Sequence, residues 1–234
     1  MDERLARQPH AIRTMFGMAA RRYDLLNRLM SLRLDVRWRA ALVAALAAAP
    51  PGRVLDVAAG TGDVALALDG RPVTGSDFTL EMLALARRKA RRRGRRVSWL
   101  AADALSLPVA DGSIAGVTVA FGVRNFASLD AGLAEIRRVL CPGGVLGVLE
   151  LHRPRRRLVA GLIALWNGAV VRTLGRLLSH DGDAYSYLPA SVATFVDREG
   201  LQQRLAACGF EAVTSTDLMG GIAGLTLARR GEAA

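Results

Sequence analysis

Residues 53–63, reading R-V-L-D-V-A-A-G-T-G-D, constrain the fold more than any other stretch of this chain. Val54, Leu55 and Val57 form an apolar run of strand length that passes directly into a glycine turn and a helical pattern. Gly60 and Gly62 let the backbone turn sharply and approach a ligand where a Cβ would clash. Asp77 closes a second apolar run at 73–75. In a doubly wound sheet, a carboxylate there meets a ribose diol. The turn and Asp77 together point to a cofactor that carries a nucleoside.

The rest of the chain alternates strand and helix patterns after an amino-terminal helical section, which predicts an α/β fold. Strands are expected at 54–57, 73–76, 97–101, 114–120, 145–151, 211–216 and 225–228. Amphipathic helices are expected at 79–93 and 130–140, the second stopped by Cys141-Pro142-Gly143-Gly144. The expected architecture is a seven-stranded, mainly parallel sheet with helices on both faces. With 234 residues and 51% apolar content, the whole of 1–234 reads as one domain. Cys141 and Cys208 are too few and too far apart for a disulfide scaffold or a metal site, and no cluster-binding cysteine set exists. The first residues lack the apolar core of a signal peptide, so a reducing cytosol is expected.

The formal net charge of +11 and the run R-R-K-A-R-R-R-G-R-R at 87–96 raise the question of nucleic acid. Nearly all the cations are arginine and alanine is abundant, as a coding bias would produce. The run has no interleaved aromatics for base stacking and falls where a surface helix should end. No nucleic-acid partner is expected; a positively charged surface would still favour anionic lipid.

D-x-A-x-G-x-G at 56–62 resembles the first motif of class I S-adenosylmethionine-dependent methyltransferases, a Rossmann-like fold. A short-chain reductase would need Tyr-x-x-x-Lys, and Lys89, the chain's only lysine, has no tyrosine four residues before it. The resemblance implies that Asp56, Gly60, Thr61 and Gly62 hold the methionine part of S-adenosylmethionine. Asp77 with Phe78 would hold the ribose side, and Asp103 with Ala104 the adenine. Ala120, closing the fourth strand, would lie near the cofactor.

A narrower resemblance rests on F-G-V-R-N-F at 121–126, R-Y-D-L-L-N at 22–27, L-D-V-R-W-R at 34–39, D-A-Y-S-Y-L-P-A-S at 183–191 and G-G-I at 220–222. In this order they resemble the ubiquinone and menaquinone biosynthesis C-methyltransferases. The implied reaction moves a methyl group from S-adenosylmethionine to a ring carbon of a polyprenylated quinol, most plausibly demethylmenaquinol. Arg124 would stabilise the developing phenolate and Asn125 would orient the hydroxyl or a water. His152 is a candidate proton acceptor, since imidazole titrates near neutrality, and Tyr187 would place a phenol near the quinol. Two departures stand out. Ala120 replaces a serine of the family pattern, and His152 follows Glu150-Leu151 where the family often reads E-F-S.

Residues 1–50 read as a helical lid and 152–194 as a substrate-cleft insertion. The apolar stretch 158–171 is too short to span a bilayer. Its basic start at 155–157 suits transient contact with the membrane surface, which predicts a cytoplasmic protein peripheral to the inner face of the cell membrane. A homodimer stays open. The competing readings are another small-molecule O- or N-methyltransferase, which would have no use for F-G-V-R-N-F, and an RNA-modifying protein.

Overall fold

A computed structural model describes residues 24–25, 27–154, 161, 165–166, 168 and 190–232. The strands are β1 (Val54–Val57), β2 (Val73–Asp77), β3 (Ser98–Ala101), β4 (Ile114–Ala120), β5 (Leu140–Leu151), β6 (Phe210–Leu218) and β7 (Ala223–Arg230). The helices are α1 (Leu34–Ala45), α2 (Asp63–Ala67), α3 (Leu80–Arg92), α4 (Leu129–Val139) and α5 (Arg198–Ala207). The strands form one sheet in the order β3-β2-β1-β4-β5-β7-β6. β1 to β5 run parallel, whereas β7 is antiparallel to both its neighbours. Strand order reverses between β1 and β4, the switch point outside which ligands sit in open α/β sheets.

Alternation along the central strands sends side chains to two separate cores. Leu55, Val57, Leu146 and Val148 pack with Leu133 and Ile136 of α4 and with Leu201 and Leu205 of α5. Val54, Val145 and Leu149 pack on the other face with Trp38 and Leu42 of α1 and Val64 of α2. Each fully buried leucine here removes enough apolar surface to contribute about 2 kcal/mol. The 34–49 part of the expected 1–50 lid therefore belongs to the packed layer. α1 lies so close to β5 that a Cβ on Gly147 would come within 2.6 Å of Leu42 Cδ1.

Expected and observed strands coincide at Val54–Val57 and Ile114–Ala120. The clearest difference lies at Cys141-Pro142-Gly143-Gly144, expected as a loop before a strand at 145. α4 ends at Val139 and β5 begins at Leu140. The C-P-G-G segment is a bulge within the strand, where the register jumps from Ile114 opposite Leu140 to Gly116 opposite Val145. Gly143, at φ +71°, absorbs the extra residues. α3 stops as read: the Arg95 N–H returns to Ala90 O and Gly94 takes φ +62°.

Candidate active site

The carboxyl ends of β1, β2 and β3 form the first half of the site. After β1 the backbone passes through left-handed conformations at Ala58, Gly60 and Gly62. The two glycines do different work. A Cβ on Gly62 would lie 2.5 Å from Trp99 Cη2, so this glycine is required by internal packing. A Cβ on Gly60 would meet nothing within 4 Å, so this glycine faces open space. The backbone there is open to close approach by a ligand.

Asp56 is only 1% exposed. Its Oδ1 accepts from Thr118 Oγ1 at 2.7 Å and its Oδ2 from the Ala65 N–H at 3.0 Å. Burial pushes its carboxyl up to about 7, against the lowering effect of those two donors. Both oxygens are engaged inside the protein, tying β1 to β4 and to the first turn of α2. The structure thus places Asp56 beneath the turn, where it shapes the loop.

Asp77, at the end of β2, accepts the Gly60 N–H on Oδ2 and the Thr79 N–H on Oδ1, both at 2.8 Å. Burial raises its carboxyl, again against these donors. Phe78 follows, half-buried. The Ala102 N–H reaches Asp77 O at 3.2 Å, which sets Asp103 and Ala104 beside it at the same edge. Asp103 is exposed and turns on itself through the Leu105 N–H at 2.9 Å. Thr61 is buried, with its hydroxyl on Asp24 Oδ1 at 2.5 Å. Gly60, Thr61, Asp77 and Asp103 are thereby brought to one edge, with Ala120 at the end of neighbouring β4.

The second half lies beyond β4 and β5. Phe121 takes φ +58° and Ala58, in the turn after β1, takes φ +54°. Non-glycine residues in this region cost about 1–3 kcal/mol each and gather at functional sites. Gly122 closes the gap between the two turns: a Cβ there would come within 2.6 Å of Ala58 Cβ. The Phe121 ring faces Trp38 at 6.4 Å, and the Arg39 guanidinium sits 5.6 Å from its centroid. Two segments distant in sequence, L-D-V-R-W-R and F-G-V-R-N-F, meet here.

Arg124 and Asn125 lie on a short 3₁₀ turn, Val123–Asn125. Arg124 is not a free cation. Its Nη1 bonds Glu150 Oε1 at 2.5 Å and Phe121 O at 2.8 Å, and its Nε reaches Ser191 Oγ at 3.4 Å. Glu150 is fully buried within β5. Sequence reading missed its role, although a carboxylate inside the apolar run 145–151 is a visible signal, because a buried charge requires a partner. His152 is 5% exposed and stacks near Phe195 at 6.0 Å. Its ring nitrogens make no well-aligned hydrogen bond, the Val196 backbone being the polar group beside them. Burial holds the imidazole below its ordinary value despite nearby Glu150, so it is neutral at pH 7. The His152 N–H bonds Ile222 O at 3.0 Å, bringing in the G-G-I segment. Tyr187 lies outside the described residues.

This sheet order and the glycine turn at its switch point define the class I, Rossmann-like methyltransferase fold. Solved structures agree at the level of fold. A methyltransferase from Aquifex aeolicus described as SAM-dependent superposes with a TM-score of 0.63 at 17% identity, covering 88% of this chain and 97% of its own. The [4+2]-cyclase SpnF superposes at 0.66 with 21% identity, over 84% and 81%. A family model described as the ubiE/COQ5 methyltransferase family matches residues 4–230, and the chain belongs to that family. Among its relatives, a demethylmenaquinone methyltransferase of Thermus thermophilus is 48% identical over 84% of this chain and 91% of the relative. One of Deinococcus radiodurans is 46% identical over 86% and 85%. A ubiquinone/menaquinone biosynthesis C-methyltransferase of Syntrophotalea carbinolica is 43% identical over 90% of each.

Proposed function

We propose that the chain transfers a methyl group from S-adenosylmethionine to a ring carbon of a polyprenylated quinol, converting demethylmenaquinol to menaquinol. The observation that carries this reading is the convergence of F-G-V-R-N-F, L-D-V-R-W-R, G-G-I and Ser191 beside the cofactor edge. Relatives at 40–48% identity carry the corresponding names.

The residues present fit the cofactor. Gly60 fronts open space, and Asp77 and Asp103 supply carboxylates at neighbouring strand ends for its hydroxyl and amino groups. Thr61 would face its methionine part, with Phe78, Ala104 and Ala120 lining the sides. Asp56 supports from below. Bound S-adenosylmethionine supplies an electron-poor methyl group on a sulfonium centre.

The chain must hold the quinol ring in line with that methyl group and move one proton. A quinol hydroxyl that loses its proton pushes electron density onto the adjacent ring carbon. Glu150 fixes the Arg124 guanidinium, which would then stabilise the developing phenolate. In this reading neutral His152, whose ring nitrogens make no well-aligned hydrogen bond, would accept the proton. Asn125 would orient the hydroxyl, and the role the family resemblance implies for Tyr187 falls outside the described residues.

The lipid tail would run near the contact in which Trp166 Nε1 donates to Met30 O at 3.1 Å. Among the described residues no helix is long and apolar enough to cross a membrane. Contact would be transient and peripheral, on the cytoplasmic face. The test is to incubate the full chain with methyl-labelled S-adenosylmethionine and reduced short-tail demethylmenaquinol. A ring-methylated product in the mass spectrum is expected; cofactor binding without transfer would move the acceptor to another molecule.

A further inference from the structure

Of 32 lysine and arginine residues in this chain, only the one at position 89 is lysine. Lys89 lies in α3, and its ammonium reaches three acceptors: Asp24 Oδ2 at 2.7 Å, Thr61 Oγ1 at 2.9 Å and Asp63 Oδ1 at 2.6 Å. An ammonium has three N–H donors, and all three are used. Thr61 then directs its own proton to Asp24 Oδ1, closing a ring through the amino-terminal segment, α3 and the glycine turn. Burial pushes the Asp63 carboxyl up, but Lys89 and Arg39 together hold it below the usual range. Arg39 continues the network, reaching Asp63 Oδ2 at 3.5 Å and Asp35 Oδ2 at 2.5 Å while lying over Phe121. The network therefore runs from the amino-terminal segment, past the cofactor turn, to the acceptor side.

We propose that Lys89 is a positioning residue for the cofactor: it clasps Asp24 to Thr61, so that the glycine turn and the Asp24 segment are set as one unit before the cofactor enters. A guanidinium is a planar fork that suits two parallel acceptors, whereas these three diverge from one point. That geometry accounts for a lysine in a chain that uses arginine everywhere else. The inference rests on the reading of the Gly60 turn as the S-adenosylmethionine site.

The test titrates S-adenosylhomocysteine into the full chain by calorimetry, alongside thermal melting and steady-state kinetics. Lys89→Met should weaken binding about tenfold or more, the loss expected for one charged hydrogen-bond set, and raise KM for S-adenosylmethionine in step with kcat nearly unchanged. Lys89→Arg should keep the melting temperature near wild type yet fail to restore the affinity. Asp24→Asn, which loosens the clasp from the other side, should weaken binding by itself and add little to Lys89→Met. Unchanged affinity in Lys89→Met, or full restoration by Lys89→Arg, would overturn the proposal. A wild-type chain that binds no S-adenosylhomocysteine would remove the cofactor reading itself, and this inference with it.

Discussion

The turn after β1 and the ends of β4 and β5 sit side by side but are built on different principles. The cofactor turn is made of backbone: glycines in left-handed conformations, and amides donating to Asp56 and Asp77. The proposed acceptor edge is made of side chains drawn from distant segments, centred on the buried Arg124–Glu150 pair and on His152 packed against β7. A backbone cradle is local, so its parts are specified within a few residues. A buried ion pair needs two strands to arrive together, and each member is costly alone.

The largest contrast should come from breaking that pair. Arg124→Ala leaves Glu150 buried without its cation, and chemical denaturation should show a loss of about 3–5 kcal/mol. The sharper variant is Arg124→Gln with Glu150→Gln. It should recover much of that stability while turnover stays orders of magnitude down. Recovered turnover would make the pair purely structural.

On the cofactor side, the carboxyl of Asp56 titrates higher in the folded chain, at about 7, than its ordinary value of 3.8. The folded state then binds more protons between these limits. Stability should fall as pH rises through this window, by at most roughly 1.4 kcal/mol per pH unit. Asp56→Asn, which mimics the protonated acid, should flatten that slope in melts taken from pH 4 to 8; an unaltered slope would place the titration elsewhere.

His152 should act in the opposite sense. Its folded value is depressed below 6.5, so the unfolded chain takes the proton first and stability is lost as pH falls below about 6.5. His152→Phe should reduce that acid-side loss and, if His152 is the proton acceptor, also depress turnover.

The two glycines divide the cofactor turn itself. Gly62→Ala drives a methyl group into Trp99 at a left-handed φ and should cost about 1–3 kcal/mol of stability. Gly60→Ala meets open space, so it should cost only about 1 kcal/mol of backbone strain while weakening S-adenosylhomocysteine binding. Equal effects on binding would erase the distinction. Ala120→Ser, which restores the family's serine, is the smallest change, with an expected gain of a few-fold in cofactor affinity.

Much of the cofactor half was legible in the chain because every signal there is short-range. Strand, glycines and Asp77 fall within 25 residues, and the apolar runs name the strands without help from tertiary contacts. The C-P-G-G segment misled because its composition suits a turn, while pairing with β4 and β7 holds Leu140 to Leu151 as one bulged strand. Motif resemblance also named Arg124 and Asn125, and a departure from the motif singled out His152, but neither showed what they touch.

By itself, then, the sequence determined the α/β class, the sheet's strand count, the glycine turn and the family, since all follow from local pattern and residue order. Only the tertiary structure decided that Asp56 lies beneath the turn, that Glu150 is the partner of Arg124, and that Lys89 joins the amino-terminal segment to Thr61. Those contacts span 26 to 65 residues of chain. No periodicity encodes such a pairing; it exists because burial leaves each charge or hydroxyl no partner but the one the fold brings to it.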